Sequence, residues 1–257
     1  LEKIRKILIS QPEPKTERSP YSELAERHNL KLDFQKFIQI EGVSSKEYRH
    51  AKIKILDHTG VIFLSTIAVD HFFRICEESR IVVPDDMKYF CTSEKTALYL
   101  QNYIVYRKRK IFFGQRAFGD LIDIIKVKHT TGKLLLTMSD TPIEHIQDQL
   151  EKAKVSYSPL ALYKTVSCDL CDTIDVRNGN YDMLVFFTPA GIKSLFDNFP
   201  EFVQNETIVA VFGAATKQAA IDFGLSLNII APTPEAPSMT MAMDKYIEEY
   251  NKNSKKK

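Results

Sequence analysis

Between Tyr181 and Gly224 the chain spells out one unit twice: a short apolar run, a turn of small residues, then helical periodicity. Met183-Leu-Val-Phe-Phe187 does not alternate apolar with polar residues, so it reads as a strand covered on both faces of a parallel sheet. Thr188-Pro189 follows as an N-cap with proline at the first helical position, and Gly191, Ile192, Leu195 and Phe196 recur at helical spacing before Pro200. The second unit runs through Ile208-Val-Ala-Val-Phe212, a turn at Gly213-Ala-Ala-Thr216, and a helix ending at Gly224. Two such units side by side put two helix N-termini at one sheet edge. Their unpaired amides and dipole ends make that edge attractive to anions.

An earlier stretch repeats the pattern. Val61-Ile-Phe-Leu64 leads into Ser65-Thr-Ile-Ala-Val-Asp-His-Phe-Phe73, so Phe63 matches Phe186, Ser65 matches Thr188, Ala68 matches Gly191 and Phe73 matches Phe196. Met87–Cys91 followed by Ser93-Glu-Lys-Thr96 mirrors the second unit, with Thr96 in the place of Thr216. The reading is a weak duplication, two related α/β halves. Elsewhere Ile4–Ser10 predicts a strand, and Ser19-Pro20 predicts a helix start whose apolar face is Tyr21, Leu24, Ala25 and His28, capped by Asn29. His28 reads as a partly buried helix residue rather than a ligand. Ser44–His58 predicts a further helix, and Thr141-Pro142-Ile-Glu144 a capping box.

Two longer runs set the architecture. Leu32–Val43 reads as one outgoing strand, and Val155–Val166 as its antiparallel return. The predicted fold is α/β, with two doubly wound parallel-sheet domains joined by a two-stranded linker, the second inserted into the first. The boundaries are 1–38 plus 166–257 for the outer domain, 44–155 for the insert, and 39–43 with 156–165 for the linker strands. A cleft between two such domains is the expected ligand site.

Composition narrows the partners. The 257 residues carry a net charge of +2, so nothing in the charge demands nucleic acid and none is expected as a partner. The Arg107-Lys-Arg-Lys110 run reads as a solvated turn. No apolar run reaches transmembrane length, so no membrane partner is expected. Leu1 stands where an initiator methionine would, which reads as a trimmed start with room for a removed leader. Four cysteines are too few for a disulfide scaffold and suit a cytoplasmic location, and Cys168-Asp-Leu-Cys171 reads as two unpaired thiols rather than a metal or redox pair. Neither Gly-rich nucleotide-binding signature occurs.

Taken in order, Val61-Ile-Phe-Leu-Ser65 with Ala68-Val69, Leu162-Tyr163-Lys-Thr165, Val185-Phe-Phe-Thr-Pro-Ala-Gly-Ile192, Phe212-Gly-Ala-Ala-Thr216, Gly224-Leu225 and Ala231-Pro-Thr-Pro-Glu-Ala-Pro-Ser238 give a chain that resembles the uroporphyrinogen-III synthase family. The resemblance implies an enzyme that dehydrates and cyclises a linear tetrapyrrole polycarboxylate, hydroxymethylbilane, inverting its last pyrrole ring through a spirocyclic intermediate. It implies no cofactor and no metal, and we expect a monomer. It makes Tyr163 a candidate proton donor to the leaving hydroxyl. Ser65, Thr188, Gly213 and Thr216 become candidate substrate-binding residues, and Thr96 joins them with Glu94 beside it as an unwelcome neighbour for a carboxylate. Each has a structural alternative: capping alone for Ser65 and Thr188, a bond within the first helical turn for Thr216, and cross-strand packing for Tyr163. The alternative function is a non-catalytic two-domain module that binds a small polyanion.

Overall fold

The computed structural model describes residues 3–254 apart from 17, 142 and 178. The chain opens with strand β1 (Lys6–Ile9) and helix α1 (Pro20–His28). Ser19 caps α1 by accepting from the Ser22 amide, and Asn29 stops it in the left-handed region at φ 52°. Strands β2 (Lys31–Phe34) and β3 (Ile38–Gly42) follow, then helix α2 (Ser45–His50). Next come β4 (Gly60–Phe63), α3 (Thr66–Glu78), β5 (Lys88–Cys91), α4 (Glu94–Tyr99) and β6 (Ile111–Phe113). The insert continues through α5 (Phe118–Lys128), β7 (Leu134–Ser139), α6 (Glu144–Lys152) and β8 (Tyr157–Ser167). The chain ends with β9 (Met183–Phe186), α7 (Pro189–Asn198), β10 (Ile208–Phe212), α8 (Ala214–Asp222), β11 (Ile229–Ala231) and α9 (Met239–Ser254).

These elements divide into two compact units, Leu1–Gln39 with Val166–Lys257, and Ile40–Thr165. The first unit holds a five-stranded sheet in the order β11-β10-β9-β1-β2, every neighbouring pair parallel. Its strand order reverses between β1 and β9, the kind of point where doubly wound sheets bind ligands beyond their carboxyl ends. One face (Leu8, Leu184, Phe186, Val209, Val211) packs with Ile192 and Leu195 of α7 and Ala220 of α8. The other (Ile7, Ile9, Met183, Val185, Ala210) packs with Leu24 of α1 and Met239, Met243 and Ile247 of α9. Burial on both faces is why these strands do not alternate in sequence.

The second unit's sheet runs β3-β8-β7-β4-β5-β6, with parallel pairing from β8 to β6. Its order reverses between β4 and β7. Val61, Phe63, Leu135, Leu160 and Leu162 face Val69, Phe72 and Ile75 of α3. Ile62, Phe90, Leu134, Leu136 and Met138 face Leu121 and Ile125 of α5 and Leu150 of α6. Strands β3 and β8 pair as the two linker strands. Their direction is antiparallel, because the Val43 amide donates to Leu162 O at 2.9 Å while the Cys168 amide donates to Phe37 O at 2.9 Å.

Three local expectations change. Leu32–Val43 is not one strand but β2 and β3, broken at Gln35–Phe37. Phe37, 1% exposed, turns into the core edge-on to Phe186 at 5.7 Å between centroids, and its carbonyl accepts from the Ser194 hydroxyl. An inward anchor there outweighs continued extension. The helix expected over Ser44–His58 ends at His50, followed by a left-handed Lys52 (φ 56°) and a 3-10 turn at Ile55–Asp57, where Ile55 is buried. The capping box at Thr141 does not form: α6 starts after Ile143 without a side-chain cap, and Pro142 lies outside the described residues. Among the described residues no helix is long and apolar enough to cross a membrane.

Candidate active site

At the carboxyl edge of the first sheet, Thr188 caps α7, its Oγ1 accepting from the Gly191 amide at 3.1 Å. Pro189 at the first helical position has no N–H, so only Ala190 of the first three residues keeps an amide without an intrahelical acceptor. The start of α8 differs. Gly213 occupies its N-cap at φ 89° and ψ 153°, a conformation open almost only to glycine, and no side chain caps the helix. The first amides of α8, those of Ala214, Ala215 and Thr216, therefore have no intrahelical acceptor. Among the described residues of this unit, no other helix start leaves as many amides without an intrahelical acceptor. The Thr216 side chain itself is buried, 2% exposed, and turned into the core.

Sequence reasoning passed over Ser10. It follows β1 directly, and its hydroxyl is buried with no hydrogen-bond partner among the described residues, close to Gly191. The available signal was positional: a hydroxyl residue just beyond a core strand, as Thr188 is beyond β9.

In the second unit Ser65 caps α3, its Oγ accepting from the Ala68 amide at 3.2 Å and leaving those of Thr66 and Ile67 without intrahelical acceptors. Ser93, not Thr96, caps α4. Thr96 is 4% exposed, and its Oγ1 lies 3.1 Å from Ser93 Oγ.

Tyr163 reaches the same edge by an irregularity in β8. Met138 pairs with Ala161, but the next residue of β7, Ser139, pairs with Tyr163, so Leu162 is passed over. Strict alternation would send Tyr163 to the face opposite Leu162. The bulge instead lets both pack on the α3 face. There the Tyr163 ring stacks on His71 of α3, with centroids 5.5 Å apart and planes 22° apart. The phenol is half-buried, and its hydroxyl makes no hydrogen bond among the described residues.

His71 was also missed; its only sequence signal is the i, i+3 spacing to Arg74 on the helix that Ser65 starts. Its Nδ1 accepts from Arg74 Nε at 3.2 Å. Burial, and then the Arg74 charge, push the imidazole below its usual pKa. Ser65 and Tyr163 thus share one carboxyl edge, and Thr188 and Gly213 share the other, whereas Thr96 and Thr216 are turned inward.

Two other clusters read as structure. Asn198 ties the Cys168–Cys171 loop by donating to Cys168 O and accepting from the Leu170 amide, both at 2.8 Å. His28, Asp244 and Glu248 bring potential ligand atoms within 4.8 Å of one another. There Asp244 already pairs with both His28 and Arg27, tying α1 to α9.

The family model for uroporphyrinogen-III synthase HemD matches residues 19–241. No curated protein sequence matches the chain. Among solved structures, uroporphyrinogen-III synthetase from Helicobacter pylori is similar at 14% identity and TM-score 0.56, covering 96% of this chain and 100% of that one. A mutant uroporphyrinogen III synthase from the extremely thermophilic bacterium Thermus thermophilus is similar at 14% identity and TM-score 0.50, covering 95% and 99%. At such identity these structures speak for the fold, while the family model spans most of the sequence. The chain belongs to the uroporphyrinogen-III synthase family.

Proposed function

We propose that the protein dehydrates and cyclises hydroxymethylbilane to uroporphyrinogen III, with Tyr163 giving its proton to the departing hydroxyl. Membership of the family over residues 19–241 carries the reaction. The half-buried phenol, unbonded among the described residues and at the same sheet edge as Ser65, supports the residue assignment.

The chemistry needs little more. Breaking the terminal C–O bond releases water and leaves an azafulvene cation stabilised by its pyrrole nitrogen, so one weak acid is enough. The overall change is loss of water with carbon–carbon rearrangement, which is redox-neutral. What the substrate does need is a fixed shape. It is a flexible chain with an acetate and a propionate on each ring, and bringing its ends together is an entropy-trap task. Taking each unit by itself, we assign carboxylate binding to the amides at the start of α8 (Ala214, Ala215) in the first, with Thr188 and Gly213 shaping that edge, and to those at the start of α3 (Thr66, Ile67) in the second, shaped by Ser65. Each helix end contributes roughly 0.3–1 kcal/mol when exposed and up to about 2 when partly buried. The Thr96 and Thr216 side chains are buried, and the Thr96 hydroxyl lies against Ser93 Oγ, so we give neither a direct carboxylate contact in this proposal. We carry a monomer in a reducing cytoplasm as part of the same proposal, consistent with four free thiols.

The test is to supply enzymatically generated hydroxymethylbilane and resolve the product isomers. The expected product is type III; type I alone, the spontaneous product, would point to a non-catalytic polyanion-binding module. Tyr163→Phe keeps the ring and removes the acid, and should lower kcat roughly tenfold to a hundredfold. Near-normal kcat in that variant would refute the assignment of the acid.

A further inference from the structure

We propose that His71 is a positioning residue for Tyr163: an imidazole, oriented by Arg74, against which the phenol is held in its working direction. The inference rests on the assignment of Tyr163 as the acid and names what sets that acid's orientation.

Tyr163 lacks the anchor that a buried tyrosine ordinarily has, because its hydroxyl has no partner among the described residues. Its direction is therefore set by ring packing. The bulge between Met138 and Ser139 turns the ring to the α3 side, where the His71 imidazole lies against it at 5.5 Å and 22°. His71 is in turn fixed from its far side. Arg74 lies one helical turn further along and donates through Nε to His71 Nδ1 at 3.2 Å. A guanidinium can only donate, so Nδ1 must be the unprotonated nitrogen and Nε2 carries the hydrogen.

The guanidinium itself is held on two more sides. It donates to Val43 O at 2.6 Å from Nη2 and to Glu78 Oε1 at 2.7 Å from Nη1, and Glu78 accepts from Ser45 Oγ at 2.7 Å. Gly42 leaves room for this: a Cβ there would lie 2.5 Å from Arg74 Nη2. The chain of contacts thus runs from the end of β3 through Arg74 and His71 to the Tyr163 ring. A core-forming helix has no need of this polar stripe, since Phe72, Ile75, Ala68 and Val69 already cover the sheet.

The experiment is a double-mutant cycle on kcat and KM with hydroxymethylbilane, using His71→Ala, His71→Phe, Tyr163→Phe and the two double variants, each checked for folding by urea denaturation. His71→Ala should lower kcat about three- to tenfold with KM changed less than about twofold. His71→Phe, which keeps a flat ring, should recover most of that loss. In the Tyr163→Phe background the His71→Ala effect on kcat should shrink to within about twofold, because no acid remains to be aimed.

Equal kcat losses in both backgrounds would overturn the proposal, since His71 would then act on the substrate or the fold rather than through Tyr163. Unchanged kcat in folded His71→Ala would overturn it as well. If Tyr163→Phe alone is near normal, the assignment of the acid fails, and this inference with it. A His71→Ala loss in that same background would separately report a direct role for the histidine. Should His71→Ala fail to fold, His71→Phe still decides: a kcat as low as that of Tyr163→Phe would overturn ring packing as the means of positioning.

Discussion

Gly213→Ala tests the proposed binding role of the α8 start. The added methyl meets nothing within 4 Å, so its cost is conformational rather than steric. At φ 89° and ψ 153° an alanine is strained by about 1–3 kcal/mol if the backbone stays put. The chain can escape by rotating the Gly213 peptide, which re-aims the amides of Ala214 and Ala215. If those amides hold a substrate carboxylate, escape forfeits about 1–2 kcal/mol of binding, roughly a five- to thirtyfold rise in KM. The control is at the other end of the same helix. Gly224 also has positive φ (76°) and open space around its Cβ, so Gly224→Ala imposes strain on α8 without disturbing its N-terminus. Urea midpoints and KM for hydroxymethylbilane should be measured on both variants. Both should lose stability, and Gly213→Ala alone should raise KM, with kcat less affected because the contact is made in ground and transition states alike. Equal KM values in the two variants would refute the claim that the α8 amides bind substrate.

Phe37→Ala removes the anchor between β2 and β3 and should cost about 3–5 kcal/mol in urea unfolding, the usual range for a buried phenylalanine; a loss under about 1 kcal/mol would mean that the break is set elsewhere. Folding stability should fall as pH drops below about 6.5, the ordinary histidine value. Burial holds the folded-state pKa of both His71 and His129 below that value, so the unfolded chain gains protons first. Urea midpoints at about pH 7.5 and 5.5 check this, and His129→Gln should flatten the decline. Cys76 and Cys91 are buried, which pushes both thiols up to about 12, whereas Cys171 is exposed. A thiol reagent should therefore modify Cys171 in the native protein and reach Cys76 and Cys91 only after denaturation.

Much of this protein is legible without coordinates because its signals are local. A strand buried on both faces announces itself as an unbroken apolar run, as in Met183–Phe187, and a helix start announces itself by its cap, as at Ser19, Ser65 and Thr188. Repeating that pair of signals implies a doubly wound sheet, and with it an edge lined by helix N-termini. Partners distant in the chain decide the rest. Phe37 leaves the extended path because Phe186, far away in sequence, offers it a ring to pack on. Thr96 and Thr216 look like ligand residues by position but turn inward, because in the first helical turn the side chain's direction depends on what the helix packs against. Tyr163 is the sharpest case. Alternation along β8 assigns it to the face opposite Leu162, and only the register slip against β7 carries it to His71. Register belongs to a pair of strands, so neither strand's sequence contains it.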